Sequence, residues 1–420
     1  MKWFRFYPDV VLENGVVRST LYFLGEKKTI HLNKHESEII RAFENNPIEK
    51  VEEIFGKEIV NRALDTMLEN GMGNVYNWKA YAEPYKPHVE YDLDLFFQNE
   101  LKINDFYIQT GTDSKYNADD MEFITAYEGC CSFIAPCKET PDYQGDFKII
   151  KDSIAQLSEN AVKNFTIGGG NPFSEWKSVK SLIDFILEKF NTNVTIVCPN
   201  TQVSEECLKY IYEKDIILKI SVFINELNDA TKLQKFRECI ENYIEKDIYV
   251  KLNLIYDARY DCDTNIENQI RSWNMCSVDL THLLYKTSDR LIGLDTNKKR
   301  VENIDMNQYY ERINCRTGKV AILSNGEIRP CAFSKIIWDK NPNNLFSVFE
   351  KNLQKDVWFR KKKDVKVCSK CENKFACYDC SIVHEMMENN VDSLRMMCSY
   401  DPNIGIWTDG EETRGDFEWQ

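Results

Sequence analysis

The sequence predicts an α/β protein in three parts: a winged-helix-like module over 1–85, a partial (β/α)6 TIM-type barrel over 86–300 and a cysteine-rich C-terminal domain over 301–420. Three observations predict it. β-Branched and aromatic runs alternate with amphipathic runs through the middle of the chain, the pattern of a parallel sheet. A hairpin-and-helix pattern precedes them. Seven of the fifteen cysteines fall after residue 314, where the strand–helix rhythm stops.

The N-terminal part alternates over 17–23 and 28–32 around Gly25, as a hairpin does. Asn33 with Glu36 three residues on is a capping-box pattern that opens a helix through Ile39, Ile40 and Phe43. A second helix carries Ile59, Ala63, Leu64, Met67 and Leu68 and stops at Gly71, where a left-handed cap is expected. A returning strand is expected over 73–76. The segment 82–88, with Pro84 and Pro87, reads as a linker.

In the middle part, strands are expected over 121–127, 164–167, 193–197, 216–224, 248–256 and 278–284, with helices such as 147–157 and 179–190 between them. Six such units predict an open, partial barrel, whose functional residues sit at the C-terminal ends of its strands. The third part has little apolar periodicity. It is expected to need metal ligation to fold, since it buries too little surface unaided.

Charge and composition exclude several classes. The net charge of −14 repels phosphate backbones, so nucleic acid is not an expected partner. No uncharged stretch approaches the ~18 residues that a spanning helix needs, so no membrane partner is expected. Arg5, Pro8 and Asp9 interrupt the N-terminal apolar run, which argues against a secretory leader. The expected compartment is therefore the cytoplasm, where clustered thiols bind metal more readily than they pair as disulfides.

The late cysteines are Cys315, Cys331, Cys368, Cys371, Cys377, Cys380 and Cys398. Cys368 and Cys371 lie across a tight turn, an arrangement that grips one metal centre. Four thiolates fill the iron corners of a cubane cluster. A hairpin over 321–329, turning at Asn325 and Gly326, places Cys315 and Cys331 at its base. A structural zinc ribbon on Cys368, Cys371, Cys377 and Cys380 is the alternative, and it leaves Cys315, Cys331 and Cys398 unused.

The order C-x10-G-x4-C, gap, C-x2-C-x5-C-x2-C, gap, C resembles the SPASM domain of peptide-modifying radical SAM proteins. The loop before Cys380 is one residue shorter than usual for that family. The resemblance implies two [4Fe–4S] clusters. One would sit on Cys368, Cys371, Cys377 and Cys398, and a second on Cys315, Cys331 and Cys380, with its fourth iron open or otherwise ligated.

A radical SAM barrel would carry C-x3-C-x2-C after its first strand, three thiolates leaving one iron for S-adenosylmethionine. Here Cys130 and Cys137 have the outer spacing, Ile134 takes the middle position and Cys131 is spare. After the expected strand at 164–167 comes Gly168-Gly169-Gly170-Asn171-Pro172, which resembles the family's G-G-E-P motif with Asn171 in place of the Glu. That motif contacts the methionine amino group, so Gly169, Gly170 and Asn171 are the implied cofactor-binding residues. The alternative is a glycine-rich turn feeding a helix at Ser174. The two departures resemble the pseudo-radical SAM/SPASM proteins of Bacteroidales peptide-maturation clusters. Those accompany a true radical SAM maturase.

The implied function is binding of a ribosomally made precursor peptide and assistance in its modification. The winged module is similar to precursor-recognition domains that take a leader peptide as an added strand. Two other functions stay open: an active radical SAM maturase with a Cys130/Cys131/Cys137 cluster, and a zinc-bound peptide-binding module. Cys198 and Cys207 are expected as small buried hydrophobes. Cys262 and Cys276 carry the same expectation, with the missing ligand of the second cluster as the alternative role for either, and His384 and residues 361–363 read as solvated.

Overall fold

The computed structural model describes residues 1–26, 28–81, 102–110, 123–126, 147–199, 202–257, 264–286, 291–292, 317–332, 334, 336–358, 360, 362–364, 368–375 and 400–407. Among them, no helix is long and apolar enough to cross a membrane.

The N-terminal module comprises β1 (Trp3–Phe6), β2 (Val10–Asn14), β3 (Ser19–Phe23), β4 (Lys28–Leu32), α1 (Lys34–Asn45), α2 (Ile48–Phe55), α3 (Lys57–Glu69) and β5 (Gly73–Tyr76). Strands β2, β3 and β4 form an antiparallel sheet with β3 in the centre. β5 returns to pair with β1 instead of the hairpin. The expected capping box is complete: Asn33 accepts from the Glu36 amide at 2.9 Å, and Glu36 accepts from the Asn33 amide at 2.7 Å. Gly71 ends α3 at φ +64°, with Met72 N donating to Met67 O and Gly71 N to Leu68 O. That pair of bonds satisfies the last carbonyls of the helix. The helices bury Ile39, Ile40, Phe43, Val60 and Met67 against Leu21, Phe23, Ile30 and Leu32.

The main body comprises β6 (Asp105–Gln109), β7 (Phe123–Ala126), α4 (Lys148–Ile154), β8 (Asn164–Gly168), α5 (Trp176–Lys189), β9 (Asn193–Pro199), α6 (Glu205–Glu213), β10 (Ile217–Phe223), α7 (Ala230–Glu245), β11 (Val250–Asp257), α8 (Thr264–Ser272), β12 (Ser277–Lys286) and β13 (Leu291–Ile292). It continues with β14 (Lys319–Ile322), β15 (Ile328–Arg329), α9 (Leu345–Glu350) and α10 (Lys355–Trp358); a last hairpin pairs β16 (Tyr400–Asp401) with β17 (Ile406–Trp407). The sheet order is β13-β12-β11-β10-β9-β8-β6-β14-β15, and β7 also pairs with β12. From β12 to β14 every neighbouring pair is parallel. This is an open, mostly parallel α/β sheet.

Two strand expectations are corrected. The strand expected at 121–127 is the short β7, and it runs antiparallel against β12, which β11, β10 and β9 separate from β8. The place beside β8 belongs to β6, which the sequence reading passed over. Its Phe106, Tyr107, Ile108 and Gln109 are all buried, so no inside–outside alternation marks it. The hairpin expected at 321–329 forms, with Gly326 at φ +84°. It lies within the main sheet, where β14 runs parallel to β6.

One face of the sheet is apolar and packs on helices. Phe106, Ile108, Phe165, Ile167, Ile196, Ile220 and Leu254 join Val179, Ile183, Ile211 and Ile240 in one core. Leu345, Val348, Phe349, Val357 and Trp358 join that core too. The expectation that the third part buries too little apolar surface therefore fails for 345–358. Its apolar residues are few but large, and they use the main core instead of making their own. The expected linker at 82–88 lies outside the described residues.

Candidate functional site

The parallel strands bring their C-terminal ends to one edge of the sheet. There β8 ends at Gly168 and is followed by Gly169 and Gly170, all three buried, before Asn171 and α5. Gly169 has φ +83° and Gly170 φ +115°, a backbone that side chains disfavour. The turn is tied to the end of β6: Thr110 N donates to Gly168 O at 2.7 Å, and Thr110 Oγ1 donates to Gly168 O and Gly169 O.

Residues of the chain fill the space beside this turn. A Cβ on Gly169 would collide with Gln109 Cγ and reach Tyr107 Oη at 3.0 Å. Gln109 is fixed in place from the next strand hairpin, because its Oε1 accepts from Ser324 N at 3.1 Å and Ser324 Oγ at 3.2 Å. Gln109, Tyr107 and Ser324 are buried. Asn171 turns into its own loop, its Oδ1 accepting from Phe173 N at 3.2 Å, while its carbonyl accepts from Ser174 N and Oγ.

Gly169 packs against Gln109 and Tyr107 of the neighbouring strand, and Asn171 places a neutral amide, accepting from Phe173 N, where the resembled motif has a carboxylate. Cys130, Cys131 and Cys137 lie outside the described residues.

Facing away from the helices, the sheet carries a polar layer that the sequence reading missed. Lys219 Nζ lies 2.6 Å from Asp279 Oδ2, the lysine side chain 6% exposed and the aspartate 37%. Asn253 donates to Ser221 Oγ at 3.2 Å and accepts from Thr281 Oγ1 at 2.7 Å. Asp105 accepts from Asn164 Nδ2 and Thr166 Oγ1, both at 2.8 Å. A closed parallel barrel fills this side with branched aliphatics. The signal was present as period-two polar residues: Lys219 and Ser221 in β10, Lys251 and Asn253 in β11, Asp279 and Thr281 in β12.

Of the seven late cysteines, Cys331, Cys368 and Cys371 lie among the described residues, and Cys315, Cys377, Cys380 and Cys398 lie outside them. Cys331 is buried two residues beyond β15. Cys368 and Cys371 span a 3-10 turn in which Cys371 N donates to Cys368 O at 3.1 Å. Two half-buried thiols across one turn are a soft donor pair suited to iron or zinc. The described residues contain no group of three or more metal-ligating side chains.

That cysteine turn sits on the N-terminal module. Tyr22 Oη donates to Glu372 O at 2.6 Å, and Thr20 Oγ1 donates to Asn373 Oδ1 at 3.2 Å. Lys374 pairs with Glu13, Tyr400 Oη donates to Glu372, and the rings of Phe375 and Tyr22 meet edge-on at 5.7 Å. Burial pushes the Tyr22 hydroxyl well above its ordinary pKa, and the nearby Cys371 thiolate pushes the same way.

Cys198 and Cys207 are buried in the main core, as expected of small hydrophobes, and burial raises both thiols above their ordinary value. Cys276 precedes β12 at the strand's N-terminal end, and burial pushes its thiol up to about 11. Cys262 and His384 lie outside the described residues.

No protein-family model matches the chain, and no curated protein does. Solved structures that resemble it include SuiB of Streptococcus suis bound to precursor peptide SuiA, at 15% identity and TM-score 0.40 over 94% of this chain and 98% of that one. Native anSMEcpe with bound AdoMet is 13% identical at TM-score 0.43, over 65% of this chain and 87% of that one. Coproporphyrinogen III oxidase (HemN) from Escherichia coli, a radical SAM enzyme, is 13% identical at TM-score 0.28, over 46% and 47%. Superpositions this loose leave the assignment to the chain's own residues.

Proposed function

We propose that this protein is an iron–sulfur scaffold of the pseudo-radical SAM/SPASM type, which binds a ribosomally made precursor peptide and supports its modification by a partner radical SAM maturase. The three parts would be a recognition module over 1–85, a degenerate barrel over 86–300 and a SPASM domain over 301–420. The hairpin over 321–329 would be lent by the third to the sheet of the second.

The observation that carries the non-catalytic role is the seating of Gln109 against Gly169. Gln109, held from Ser324, packs against the turn whose backbone would contact the cofactor, and Asn171 would offer it a neutral amide in place of a carboxylate. The iron–sulfur role rests on the seven ordered cysteines. Cys368, Cys371, Cys377 and Cys398 would hold one [4Fe–4S] cluster, and Cys315, Cys331 and Cys380 a second. Such clusters would supply an electron path or an open iron for a substrate thiolate.

The chain's own residues would take the peptide as an added strand. β3 has both ladder edges paired, by β2 and β4, so a leader would pair along an outer edge of the three-stranded sheet.

Metal and sulfide analysis of anaerobically purified protein tests the proposal. Two cubanes give about eight irons and eight sulfides per chain. About twelve irons would indicate a third cluster on Cys130, Cys131 and Cys137, as an active maturase requires. A colourless protein with stoichiometric zinc and no sulfide would replace the cluster reading with a zinc module.

A further inference from the structure

The contact between the cysteine turn and the N-terminal sheet has a lopsided composition. Residues 372–375 carry one apolar side chain, Phe375, and two buried charged ones, Glu372 at 2% and Lys374 at 5% exposure. Glu372 Oε2 is buried against Gly15 with no hydrogen-bond partner among the described residues. Burying charge without full hydrogen bonding opposes docking. The cysteines stand immediately before this segment in the chain, so ligation there would add to the few bonds that hold it down. Metal–thiolate ligation is strong enough to order a segment that cannot order itself.

We propose that ligation of Cys368 and Cys371 latches residues 372–375 onto strand β3, so that metal loading and the order of the N-terminal sheet form one coupled equilibrium. The proposal rests on the metal-binding reading above. Its receiving residues are Thr20 and Tyr22 on the face of β3, Glu13 on β2 and Tyr400 on β16. Because coupling is reciprocal, loosening the contact from the sheet side must loosen the metal.

Hydrogen exchange of the Ser19–Phe23 amides in the full-length protein tests this, read beside the iron content. Stripping iron with a chelator should speed exchange in β3 by about tenfold or more, within the usual range of coupling between sites. Tyr22→Phe, which removes the bond to Glu372 O and no ligand, should speed iron loss to the chelator by roughly fivefold, the worth of one buried hydrogen bond. Thr20→Val, which removes the bond to Asn373 Oδ1, is a second variant with the same expected direction. Iron-stripped protein with unchanged exchange in β3, or Tyr22→Phe with unchanged iron loss, overturns the latch and leaves the cluster reading standing. Wild-type protein that holds no metal overturns both.

Discussion

Gln109 and Ser324 stand 215 residues apart in sequence and meet at one oxygen: Gln109 Oε1 accepts both the amide and the hydroxyl of Ser324. These two hydrogen bonds hold the glutamine side chain against Gly169, at the edge of the sheet where the strands end. A polar side chain bonded this way has little rotamer freedom, and its removal would take one acceptor from both the amide and the hydroxyl of Ser324.

Gly169→Ala should destabilise the fold by about 2–4 kcal/mol, from its positive φ and from collision with Gln109. In a Gln109→Ala background the same change should cost only the backbone share, about 1–2 kcal/mol. Urea denaturation of the four proteins in the cycle measures the difference. Equal costs in both backgrounds would show that Gln109 does not fill the turn.

The Lys219–Asp279 pair should respond unequally to removal of its two ends. Asp279→Asn strips a buried ammonium of its partner at 2.6 Å and should cost about 3 kcal/mol. Lys219→Met leaves a carboxylate with substantial access to water and should cost about 1 kcal/mol or less. Thermal or chemical unfolding of the two variants checks the order.

Trp358 ties the C-terminal region to the main core. Its indole donates to Lys319 O at 3.0 Å, and its ring is fully buried beside Phe349 and Trp338. Trp358→Phe should cost about 2–3 kcal/mol and should lower the stability of the whole sheet, not of a separate C-terminal unit. Two unfolding transitions, with only one of them shifted, would contradict this placement.

Cys276 sets an alkaline dependence. Its folded pKa, about 11, stands above the ordinary 9, so the folded chain holds a proton that the unfolded chain releases. That contribution is complete below pH 9 and is lost as the pH rises towards 11. Stability measured across this window should fall less steeply in Cys276→Ala than in the wild type.

The sequence disclosed those parts of the fold whose signals are local. The Asn33–Glu36 box, the Gly71 cap and the Asn325–Gly326 hairpin each depend on residues within a few positions, and each formed as expected. Strand pairing was less legible. β6 is buried on both faces and carries no period-two contrast, while β7 has the composition of a core strand but lies antiparallel on β12. The glycine turn was found from its motif. Its filling by Gln109 was not, because that contact depends on β6 lying beside β8 and on a hairpin more than 200 residues later. The seat of the cysteine turn on Tyr22 was hidden for the same reason, with 350 residues separating Tyr22 from Glu372.

The central claim, that this chain supports peptide modification without cleaving S-adenosylmethionine itself, is tested most directly by an anaerobic cleavage assay. Cluster-loaded protein is incubated with S-adenosylmethionine and a strong reductant, and 5′-deoxyadenosine is quantified. No product above the protein-free control is expected. Formation of 5′-deoxyadenosine that is abolished by Cys130→Ala would contradict the account.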